Sequence, residues 1–150
     1  TERRETAAET IENNVRRVII EERQTNPKYY DKMSKLLDEL ILQRKEEVIA
    51  YEAYLQRIKD LANNLSGEES EDYPENIDSN AKRALYDNLG QNPNLAIAVD
   101  AVIHANKLDS WRDGRLKERK LKLAVMGILP DDYKEDIDAL MDIIKAQREY

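Results

Sequence analysis

Residues Pro27–Leu65, PKYYDKMSKLLDELILQRKEEVIAYEAYLQRIKDLANNL, contain no glycine, and their single proline stands at the first position. Met33, Leu37, Leu40, Val48, Tyr51, Leu55, Ile58, Ala62 and Leu65 recur close to heptad spacing, with Arg44 as the polar interruption. That period is helical, and proline is tolerated where the first helical N–H has no partner to lose. An unbroken helix here would be roughly 58 Å long at about 1.5 Å per residue. A helix of that length needs partners along it, from its own domain or from another chain.

Working outward, Thr25-Asn26-Pro27 breaks the pattern, with Asn26 as a candidate N-cap. Upstream, Thr6 to about Glu22 reads as a helix opened by a capping box of Thr6 and Glu9. Its apolar stripe is Ala7, Ala8, Ile11, Val15, Val18 and Ile19, opposite Glu12, Asn13, Arg16 and Arg17. Residues 1–65 are thus expected to form a long helical hairpin. The acids Glu68, Glu69, Glu71, Asp72, Glu75 and Asp78 then come without a lysine or arginine, so residues 66–79 are expected to be an exposed acidic loop.

Residues 80–150 read as a compact helical subdomain. Ser79 or Asn80 caps a helix ended by Gly90, and Asn92-Pro93 opens one running from about Asn94 to Lys107. Its Leu95–Val99, Ala101–Ile103 and Ala105 leave almost no polar face, which suits a core position. A connector holds Trp111 and ends at Gly114. A basic helix follows from about Arg115 to Ile128, and beyond Pro130 the last helix spans Asp132 to about Glu149. Nothing alternates with period two for long enough to form a strand. The fold class is therefore all-α, a helical bundle with one long helix (about 27–65) and several shorter ones.

Composition narrows the function. Charged residues make up 37% of the chain, suited to the outer faces of amphipathic helices, and there is no cysteine. Disulfides, thiolate catalysis and zinc–thiolate sites are thereby excluded. The longest apolar runs fall far short of the roughly 20 residues a membrane span needs. No secretory signal opens the sequence, and Thr1 reads as the start of a piece cut from a longer protein. The net charge of −7 argues against a chain that embraces duplex DNA over its whole face.

Candidate chemistry is sparse. His104 is the only histidine, and Asp100 precedes it by four residues on one helical face. The pair suits either a base with its orienting carboxylate or a hydrogen-bonded pair at a core margin. A lone histidine also rules out the paired Glu-x-x-His motifs of di-iron bundles. Pro130-Asp131-Asp132-Tyr133-Lys134 imitates a nuclease motif in compressed form, yet two acids in a first turn are what a helix dipole attracts. The four glycines are isolated, so no phosphate loop exists, and no cofactor is expected in this chain.

What stands out is charge. From Lys107 to Lys122 there are seven bases against three acids, a local +4 in an acidic protein, with Trp111 at its edge. Trp111, Arg112, Arg115, Lys117, Arg119, Lys120 and Lys122 are the partner-docking candidates, with the indole as anchor. The other reading is a solvated helix face with the indole plugging the core.

Several strings in order carry a resemblance: Ile11–Ile20 (IENNVRRVII), Asn26–Ser34 (NPKYYDKMS), Ala81–Gly90 (AKRALYDNLG), Trp111-Arg112, Lys117–Lys120 (KERK) and Glu149-Tyr150. Together they resemble the C-terminal helical domain of the restriction (R) subunit of type I restriction–modification enzymes. The resemblance implies a bacterial or archaeal cytoplasmic protein whose upstream nuclease and motor domains use ATP and Mg2+ to translocate and cleave DNA. This piece would dock that motor onto the methyltransferase and specificity subunits, meeting DNA only through the complex. Two further readings stand beside it: direct duplex binding through 107–122, or a helical dimer paired along 27–65.

Overall fold

The computed structural model describes residues 1–65 and 72–150, and all regular structure among them is helical. These residues divide into two compact units, one of Thr1–Arg23 with 28–65, the other of Gln24–Pro27 with Asp72–Tyr150. The segment 66–71, which carries three acids of the expected loop, lies outside the described residues.

The first unit is built from α1 (Glu2–Glu22), α2 (Pro27–Lys45) and α3 (Tyr51–Leu65). Helix α1 starts earlier than the sequence suggests, because the Thr1 hydroxyl accepts from the Arg4 N–H at 3.3 Å. Thr6 is therefore inside the helix, where its carbonyl accepts the Thr10 hydroxyl, and does not cap it. The expected apolar stripe also needs correction: Ala7 is exposed, and Glu12, placed on the polar side, is buried.

The long helix is corrected as well. It stops at Lys45, and the chain restarts as α3 at Tyr51. Glu47 takes a left-handed conformation at φ 55°, the Val48 N–H reaches the Gln43 carbonyl (3.1 Å), and the Glu47 N–H reaches that of Arg44 (3.1 Å). This is a Schellman termination with glutamate where glycine is usual. The seam changes face across the break. Met33, Leu37 and Leu40 are buried before it, and Tyr54, Ile58, Leu61 and Leu65 after it, while Val48 is 69% exposed. The reversal lets two short apolar stripes and that of α1 close on one core, which takes up Met33, Leu37, Leu40, Ile58 and Leu65 of the expected seam. At about 1.5–3 kcal/mol per fully buried large aliphatic side chain, such closure outweighs the roughly 1–2 kcal/mol of one left-handed residue.

The second unit holds α4 (Asn80–Asn88), α5 (Pro93–Asn106), α6 (Arg115–Met126), the single turn α7 (Asp131–Lys134) and α8 (Ile137–Ala146). The capping residues act as read: Ser79 accepts from the Lys82 N–H and Asn92 from the Leu95 N–H, both at 3.1 Å. Gly90 (φ 71°) ends α4, with the Gln91 N–H returning to the Tyr86 carbonyl at 2.9 Å. The expected last helix is broken into α7 and α8. Residues 72–78 are not simply an exposed acidic loop, since Ile77 is 1% exposed within this unit's core. Gln24–Pro27 belongs here too: the Asn26 amide donates to Asp87 at 2.7 Å, and its oxygen accepts from Asn88 at 2.8 Å.

Candidate functional site

Helix α6 shows how one short helix serves two directions. Leu121 and Val125, four residues apart, are fully buried against the unit's core. Leu116 and Leu123 lie on the opposite side and are 83% and 56% exposed. At about 100° per residue, Arg115, Arg119, Leu123, Leu116 and Lys120 form one continuous outward stripe, leucines central and bases on both flanks. None of the three bases has a hydrogen-bond or ion-pair partner among the described residues.

The other docking candidates are engaged inside the unit. Trp111 is 2% exposed, and its indole N–H donates to the Tyr150 carbonyl at 3.2 Å. It is a core residue and cannot serve as an exposed anchor. Arg112 lies over the Trp111 ring at 4.6 Å and donates to the carbonyls of Lys145 (3.0 Å) and Gln147 (2.6 Å), pinning the closing residues. The Lys117 ammonium donates to the Asp109 carbonyl at 2.7 Å, and Lys122 pairs with Asp138 at 2.8 Å. Of seven sequence candidates, three remain outward and uncommitted: Arg115, Arg119 and Lys120. Leu116 and Leu123 were missed. Their signal was present in the sequence, since their seven-residue spacing runs out of phase with Leu121 and Val125.

Asp100 and His104 do come together, with Nε2 3.5 Å from Oδ1. The Tyr150 hydroxyl, however, donates to the same Asp100 oxygen, and the imidazole packs edge-on against the Tyr150 ring at 5.3 Å. Burial, reinforced by Asp100, pushes the Tyr150 phenol above its ordinary range. The cluster ties α5 to the end of the chain. Asp131 and Asp132 are exposed at the start of α7, where Lys134 pairs with Asp131 at 3.1 Å. A hollow of about 330 Å³ at Arg4, Arg44, Lys45, Glu47 and Tyr51 mixes both charges, and Arg44 within it is already bound to Glu12.

No helix of the described residues is long and apolar enough to cross a membrane. No family model, curated protein or solved structure matches the chain.

Proposed function

We propose that this chain is a non-catalytic assembly module that grips a partner subunit through the outward stripe of α6. The observation behind this reading is the pairing of two exposed leucines with three uncommitted bases on one helix face. A fully exposed leucine forgoes about 1.5–3 kcal/mol by staying in water, and Leu116 and Leu123 forgo shares of it in proportion to their exposure, which a partner recovers. Single exposed leucines are ordinary on a protein surface. Two in line, with arginines on one flank and a lysine on the other, have the make-up of an interface, where an apolar centre sits inside a polar rim.

The resemblance to the R-subunit tail gives the partner a concrete form. In that setting the piece docks a cytoplasmic nuclease–motor subunit onto its methyltransferase–specificity core, while ATP, Mg2+ and DNA cleavage belong to the parent. Direct duplex binding fits less well. Phosphates are met by cations and hydrogen-bond donors, and here leucines occupy the centre of the face.

The test is removal. Deleting residues 1–150 from the parent subunit should abolish its association with the methyltransferase–specificity core in sedimentation experiments. Undiminished association would end this reading.

A further inference from the structure

We infer that the occupant of the α6 stripe is an acidic amphipathic helix with a leucine-type seam, an inference that rests on the assembly reading above. Leu116 and Leu123 stand two turns apart, about 10.5 Å along the axis and roughly 20° around it. A seam of that pitch is matched by knobs from another helix, which meet it at the same interval. The flanks then set the sign. Arg115 and Arg119 are four residues apart on one side and Lys120 lies on the other, while Lys117 and Lys122 are spent on Asp109 and Asp138. The one acid of the helix, Glu118, is turned away to pair with Lys145. The stripe is therefore uniformly positive around an apolar line.

That pattern selects among occupants. A second copy offering its own α6 would set bases against bases in either orientation, and like charges in contact oppose pairing. A duplex would leave both leucines facing phosphates. A helix carrying glutamates four apart beside its seam would meet Arg115 and Arg119 with fork-shaped, charge-assisted bonds. It would also cover Leu116 and Leu123.

The experiment titrates the 150-residue chain with three labelled probes and follows anisotropy. The probes are a helical peptide with leucines at heptad spacing flanked by glutamates, a scramble of the same composition, and a 20-base-pair duplex. The expected result is saturable binding of the first alone, weakened about tenfold or more by Arg119→Glu and by Leu116→Ser. Equal binding of the scramble, tighter binding of the duplex, or no binding of any probe would overturn the acidic-helix partner. So would concentration-dependent dimerisation of the chain that Leu116→Ser abolishes, since the stripe would then be occupied by a second copy. If the parent's association with its core falls with Arg119→Glu while the peptide fails to bind, only the nature of the partner is wrong. If that association is indifferent to Arg119→Glu, the assembly reading falls with it.

Discussion

Arg44 clasps Glu12 with two parallel hydrogen bonds, Nε to Oε2 at 2.7 Å and Nη2 to Oε1 at 3.0 Å, with both side chains no more than 10% exposed. The Tyr54 hydroxyl donates to the same carboxylate at 2.6 Å. One residue from each of the three helices of the first unit thus meets at a point. Removing one partner of a buried pair leaves an uncompensated charge. Arg44→Ala should therefore lower stability by about 3–5 kcal/mol, whereas replacing both charges in Glu12→Leu/Arg44→Met, made in a Tyr54→Phe background so that no buried hydroxyl loses its acceptor, should be close to neutral. Urea unfolding of the single and double variants followed by circular dichroism checks this. Equal losses in both would show that shape, not charge pairing, holds the site.

Glu47 pays for the turn between α2 and α3 with its left-handed φ of 55°. Glycine adopts that conformation without the clash of a Cβ. Glu47→Gly should raise stability by about 1 kcal/mol, read as a shift in urea midpoint. Proline substitution at Glu47 or Val48 should do the reverse, since both N–H groups donate within the turn. A stability loss in Glu47→Gly would mean that α2 and α3 are continuous in solution.

Two tyrosines give the fold a dependence on alkaline pH. Burial, aided by Glu12 for Tyr54 and by Asp100 for Tyr150, pushes both phenols upward. A raised pKa means the folded state holds its proton more tightly, so this stability is fully present below about pH 10 and is lost as pH rises further. Each group should contribute a slope of up to about 1.4 kcal/mol per pH unit above pH 10. Tyr150→Phe should flatten the decline followed by fluorescence of Trp111, which lies in the second unit. Tyr54→Phe should flatten it for amide exchange in α3. Unchanged slopes would show that both phenols ionise freely in the fold.

The sequence was most legible where backbone chemistry is local. Asn92-Pro93, Ser79 and Gly90 gave their helix ends directly, because each satisfies or releases a backbone group within a few residues. The break at 46–50 was hidden, since glutamate in a left-handed turn has no local signature and the reversal is driven by distant packing. Glu12 was misplaced for the same reason: its partner Arg44 is 32 residues away. At the candidate site the basic helix was visible but its orientation was not. Only packing decides that Leu121 and Val125 face in while Leu116 and Leu123 face out. For Trp111 the sequence left two readings, an anchor among basic neighbours or a plug in the core, and what decides for the core is an indole N–H held by a backbone carbonyl from the far end of the second unit.

That placement makes Trp111 a test of core against surface. Trp111→Ala should cost about 3–5 kcal/mol in the second unit, as truncation of a large buried aromatic does. It should lower the thermal midpoint and reduce partner binding only through that loss. A folded, fully stable Trp111→Ala protein with impaired binding would place the indole at the interface after all.

The most direct trial of the assembly claim compares two quantities in one variant, Arg115→Glu/Arg119→Glu/Lys120→Glu. These side chains are exposed and uncommitted among the described residues, so the thermal midpoint should move little. Under the R-subunit role proposed above, affinity for the methyltransferase–specificity core should fall by about a hundredfold or more, because attraction at three positions becomes repulsion. An affinity equal to that of the unmodified protein, with the fold intact, would contradict the claim that α6 is where this chain holds its partner.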